Sequence, residues 1–106
     1  MRIEEIADCV EGLEGVRRTA SRDQLHEWRY RGRLIARQLD TKSLVIRADF
    51  DFRESLLENF PATFSVPTRY VKHMMIVADF AHGDIVAIES ALEKAWQLQR
   101  SADWSR

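Results

Sequence analysis

Few side chains in this sequence are of types that could do covalent or acid–base chemistry: three histidines, one cysteine and a closely spaced pair of aspartates. His26, His73 and His82 are far apart in the chain, and none stands at a metal-ligand spacing from the cysteine. His73 and His82 flank what reads as the last strand, so an extended chain holds them roughly 27–30 Å apart, too far to share one metal. Each is read as a solvated or core-edge histidine. Cys9 lies in an acidic helix, where Glu5 and Asp8 disfavour the thiolate that a nucleophile needs, so it is read as a small packing residue. Asp51, with Glu54 three residues on, matches a capping box, and Asp49 fits the turn before that helix. A catalytic dyad would instead need burial to separate their proton affinities. The chain has no G-x-S-x-G, no P-loop and no dinucleotide fingerprint. The expectation is a non-enzymatic protein with no metal and no cofactor. An enzyme reading would require the fold to assemble a pocket with convergent polar groups.

The remaining constellation is basic. Residues 1–15 carry a net charge of −4, residues 16–47 carry +6 and residues 48–106 carry −3, which sum to the overall −1. Arg17, Arg18, Arg22, Arg29, Arg31, Arg33 and Arg47 cluster in the basic segment, near Trp28 and Tyr30. Guanidinium forks suit bidentate contact with phosphate, and aromatic rings can stack on bases. Six neutralised phosphates on duplex DNA would give a log–log salt slope of about −5. The opposing reading places the aromatics in the core and sets the acidic ends against the basic middle. A pI near 6.3 favours that second reading, because nucleic-acid modules are usually basic.

Those arginines must be held by a sheet. A chain of 106 residues, 45% hydrophobic and 31% charged, is sized for one domain spanning 1–106. No apolar run approaches a membrane span, and the acidic N-terminus is not a secretory signal. The single cysteine excludes an internal disulfide, and the expected setting is the cytoplasm. Ile3, Ile6, Val10 and Leu13 form one helical stripe, which Gly12 or Gly15 would end. Residues 16–48 then change to period-two alternation, with turns at Arg31-Gly32 and at Asp40 to Lys42. A tight turn at Thr41-Lys42 pairs Leu39 with Leu44, Arg37 with Ile46 and Ile35 with Ala48. The other turn pairs Tyr30 with Arg33 and Trp28 with Ile35. Ile35, Leu39, Leu44, Ile46, Trp28 and Tyr30 then share the core face, with Arg29, Ala36, Val45 and Arg47 opposite. Arg37 falls awkwardly on the core side, so it lies at the sheet rim or a bulge shifts the phase.

A second helix starts at Asp51, buries Phe52, Leu56, Leu57 and Phe60, and stops at Pro61. Phe64 and Val66 predict a short edge strand ended by Pro67, and Met74 to Phe80 a final strand. Asp84 caps a last helix with an Ile85, Ile88, Leu92, Ala95 and Trp96 stripe, and a frayed tail runs from Ser101 to Arg106. The order is helix, three strands, helix, one or two strands, helix. It predicts an α+β, two-layer sandwich whose antiparallel sheet has about five strands, with one face covered and the other at least partly open.

The ordered set of short segments resembles the MmcQ/YjbR family. Leu13-Glu14-Gly15-Val16 is similar to its opening L-P-G-V turn, with Glu14 in place of proline. Gly32-Arg33-Leu34-Ile35-Ala36 is similar to its glycine-basic-x-aromatic-alanine strand, and Leu44 to Asp49 to the next strand and the aspartate before the helix. Phe64 to Tyr70 resembles its F-x-V-T-x-H-Y segment, with Arg69 where histidine is common, and Ala95-Trp96 its final-helix pair. The resemblance implies a CyaY-like or double-wing fold and a DNA-binding role. Fold does not fix function. The partner expected is therefore DNA, bound by a monomer through the arginine-rich hairpin, or else another protein in an accessory role without nucleic acid.

Overall fold

The computed structural model describes residues 1–20 and 24–103. The chain folds as α1 (Ile3–Glu11), β1 (Val16–Ala20), β2 (His26–Tyr30), β3 (Arg33–Gln38), β4 (Ser43–Arg47), α2 (Phe50–Asn59), β5 (Phe64–Ser65), a 3₁₀ turn at Thr68–Tyr70, β6 (Met75–Asp79) and α3 (Ile85–Asp103). The strands form one antiparallel sheet in the order β1-β2-β3-β4-β6-β5. The α+β sandwich is as expected, with an additional strand. Val16–Ala20 adds β1 as an edge, and its sequence VRRTA shows almost no apolar alternation by which to announce it.

All three helices feed one core. Ile6 and Val10 of α1, Leu56 of α2, and Ile88, Ala91, Leu92 and Ala95 of α3 pack against Trp28, Ile35, Ala36, Leu44, Ile46, Ile76 and Ala78 of the sheet. Ile85, expected in the α3 stripe, is instead 49% exposed in the first turn, where the helix overhangs the core. α3 continues in regular helix to Asp103, past Ser101 where fraying was expected. The rest of that tail lies outside the described residues.

The β2–β3 hairpin turns at Arg31 and Gly32, whose φ values of 49° and 81° are both positive. That is the two-residue geometry whose twist matches the flanking strands. Tyr30 pairs with Arg33, but the register slips after Trp28, so that Arg29 faces Leu34 while Trp28 faces Ala36. Ile35 is the extra residue of this bulge, and both Ile35 and Ala36 reach the core. The bulge resolves the Arg37 conflict. Arg37 pairs with Glu27 and Val45, Ala36 with Ile46, and Gln38 with Leu44. The β3–β4 register is therefore one residue from the expected one. Leu39 is drawn into the turn, where Asp40 Oδ1 accepts from the Lys42 and Ser43 amides at 2.9 and 2.7 Å.

The cap of α2 also differs. Asp49, not Asp51, is the N-cap, and its carboxylate accepts from the Phe52 amide at 2.8 Å. Asp51 lies in the first turn and is exposed, where its charge still favours the helix dipole. Asp84 does cap α3, accepting from the Ala87 amide at 2.8 Å. Arg53, buried in α2, donates from Nη1 to the carbonyls of Tyr70 and His73 at 3.3 and 2.9 Å and from Nη2 to that of Val71 at 3.2 Å. This one guanidinium fixes the irregular segment between β5 and β6, which has little regular structure of its own.

Candidate functional site

Directly opposed residues share a sheet face, so the registers assign every strand residue. The face away from the core cluster carries Arg17 and Thr19 of β1, Glu27 and Arg29 of β2, and Leu34 and Arg37 of β3. It continues with Val45 and Arg47 of β4 and Met75 and Val77 of β6. Arg17 pairs with Arg29, and Arg47 lies in the same row two strands away, opposite Met75. Arg37 and Glu27 lie one step along. Four guanidiniums thus share this outer face with Glu27 among them.

The expected arginine set divides on these grounds. Arg17, Arg29 and Arg47 belong to the outer face. Arg18 does not: it pairs with Trp28 on the core side, and its Nε lies 3.2 Å from Glu11 Oε2 of the acidic first helix. Arg31 is at the hairpin tip, its guanidinium 5.6 Å from the Tyr30 ring centre. Arg33 is opposite Tyr30 at the end of the sheet. Arg22 lies outside the described residues. Arg37 joins the face although the sequence placed it toward the core, and its awkward fit there was the available signal. The aromatic half of the constellation fails. Trp28 is fully buried and donates its indole N–H to Glu11 at 2.9 Å, so it offers no stacking surface.

The outer-face arginines are in different states. Arg29 is fixed: its Nε is 2.6 Å from Glu27 Oε2, and Nη1 donates to the Gly32 carbonyl at 2.8 Å. Arg37 Nη1 lies 3.9 Å from the other oxygen of the same Glu27. Arg17 is exposed and forms no ion pair among the described residues. Arg47 is half-buried, and its Nε is buried with no hydrogen-bond acceptor. Burial, and then the neighbouring positive charge of Arg29, push its pKa below the usual arginine value. Arg53 also has a buried Nε without an acceptor, but its Nη groups hold three carbonyls. Arg47 has no such partners among the described residues.

These arginines open onto a groove of about 480 Å³ at the end of the sheet, lined by Arg29, Arg33, Arg37 and Arg47 together with Leu34, Met75 and Leu98. The last turns of α3 close one side, where Gln99 Nε2 donates to the Leu34 carbonyl at 2.7 Å beside the bulge. Bulges often re-aim side chains at such places. Asp49 and Asp51 line a separate shallow depression with Phe50, Phe52, Met74 and Lys94. Cys9 is half-buried, and its thiol is pushed up by burial and by Glu89 and Glu93, which disfavours the nucleophilic form. No group of three or more His, Cys, Asp or Glu able to hold a metal occurs among the described residues, and none of their helices is long and apolar enough to cross a membrane. Comparison with protein-family models, with curated proteins and with solved structures returns no match for this chain.

Proposed function

We propose that this protein is a non-enzymatic DNA-binding module of MmcQ/YjbR type that holds phosphates with the outer face of its sheet. The observation that carries the reading is the row Arg17, Arg29 and Arg47 with Arg37 beside it, balanced within that patch by Glu27. Contact is to the backbone rather than the bases, because Trp28 is buried in the core and the half-buried Tyr30 packs against it beside Arg31. Arg18 is committed to Glu11 and takes no part. Backbone contacts position a protein on a duplex without selecting sequence, so weak sequence preference is expected.

The reading now rests on fewer phosphates than the six anticipated. Four arginines less the charge of Glu27 leave about three, which corresponds to a log–log salt slope of about −3. Binding to a labelled duplex, followed by fluorescence anisotropy, should then weaken roughly 60-fold between about 50 mM and about 200 mM salt. The double variant R17E/R47E should abolish it. Absence of binding at the lower salt concentration removes this reading.

A second reading, a protein-interaction domain, is favoured by a specific feature. Phe50, Val71 and Met74 are 44%, 49% and 37% exposed. Substituting these three by serine should leave DNA binding intact if the arginine face is the functional surface.

A further inference from the structure

The groove at the end of the sheet is strongly cationic. Arg29, Arg33, Arg37 and Arg47 line it, and Glu27 pairs with two of them, so the arginines outnumber the neighbouring carboxylate and a dianion answers that excess better than a monoanion. A phosphodiester supplies a single negative charge. A phosphomonoester supplies about −1.5 to −2 at neutral pH, with three strong acceptor oxygens. Arg47 carries the donor that lacks an acceptor, and the fixed Arg29 beside it makes a second positive charge there unfavourable until an anion arrives. Leu34, Met75 and Leu98 add apolar surface to the same groove. A volume of about 480 Å³ lies within the range of small-ligand sites and is of the order needed for one nucleotide.

We propose that this groove is a seat for the phosphomonoester of a single nucleotide unit, its phosphate held by Arg47 with Arg29 and Arg37 and its apolar body laid against Leu34, Met75 and Leu98. The same chemistry is offered by a free nucleoside monophosphate and by the 5′-phosphorylated end of a nucleic-acid strand. The strand-end source rests on the DNA-binding reading above, whereas the free-nucleotide source does not.

The test measures affinity by calorimetry and anisotropy for five probes: adenosine 5′-monophosphate, adenosine, a short DNA strand with its 5′-phosphate, the same strand without it, and closed circular plasmid as competitor. The monophosphate should bind where adenosine does not. R47M should lose about tenfold or more of that affinity, as expected for removing charge-assisted hydrogen bonds to phosphate. K42A, which removes a positive charge in the β3–β4 turn, should leave it unchanged. A preference of about tenfold for the 5′-phosphorylated strand over the 5′-hydroxyl strand identifies the strand end as the source. Binding of the monophosphate without that preference identifies the free nucleotide. If neither the monophosphate nor the 5′-phosphate matters, the proposal is overturned, and competition by circular plasmid would show that the broad phosphate face survives without it. A thermal melt of R47M confirms that any loss of binding occurs in folded protein.

Discussion

Replacing Arg47 by methionine should make the protein more stable, although it removes a charge and a long side chain from a sheet. The side chain lies on β4 opposite Met75, with its Nε–H buried and without an acceptor. An unsatisfied buried donor costs about 1–3 kcal/mol. Methionine retains an unbranched stem to lie along Met75 and loses roughly one methylene of apolar contact, about 0.8 kcal/mol. The net expectation is a gain of about 1 kcal/mol, or about 4 °C in Tm for a domain of this size. The pH dependence has a definite sign. A base whose folded pKa lies below its ordinary value is destabilising wherever it is charged in both states, and arginine is charged throughout the accessible range. The gain should therefore be the same at about pH 6 and about pH 9. Urea melts read it as a shift in midpoint at constant slope. A loss of more than about 0.5 kcal/mol would mean that the guanidinium makes net favourable contacts, and the reasoning from its unpartnered nitrogen would be wrong.

Two further outcomes follow from the buried polar contacts. R53M should cost about 3 kcal/mol, because the carbonyls of Tyr70, Val71 and His73 lose a common charged donor. The same variant should be cut faster by trypsin at the exposed Lys72, which limited proteolysis would detect. D49A should lower stability by about 1 kcal/mol, whereas D51A should cost no more than about half of that, since only Asp49 caps a backbone amide. Equal effects in a urea melt would place the cap of α2 where the sequence pattern put it.

The layers were legible because long apolar periods decide them: the helix stripes and the alternating β4 and β6 sequences have one dominant period each. The turn at Arg31-Gly32 was legible for a local reason, since Gly32 takes a positive φ without steric cost. The errors fall where two local readings compete. Ile35 and Ala36 are both apolar, so alternation alone cannot say which one is the bulge. The wrong phase then carried Arg37 to the core side and slipped the β3–β4 pairing by one residue. Asp49 and Asp51 both stand at the start of α2, and the Glu54 spacing favoured the wrong one. β1 escaped because an edge strand needs no buried alternation. In the candidate site the arginines were visible as a composition, but their division between the two faces depends on register. One residue of slip exchanges Arg18 for Arg17 and turns an ion-paired rim into an exposed row.

The outer face has a structural demand of its own, and it bears on why arginine is there. Val45 and Val77 pair with each other on that face and are 0% and 8% exposed, although neither belongs to the core cluster under the helices. Val45 is flanked by Arg37 across the strand and by Arg47 two residues on, whose methylene stems are the natural cover for it. Cover of this kind requires only a long stem. Lysine, glutamine or methionine would supply it without placing an unsatisfied nitrogen beside a second positive charge. At Arg47 the charged head therefore adds a cost that the covering role does not require. Natural proteins commonly give up stability in this way where a ligand is met. Methionine substitution keeps the cover and removes the head, whereas glutamate keeps a charge of the wrong sign. If the methionine variant is more stable yet loses its affinity for phosphate, the head serves binding and the stem serves the sheet.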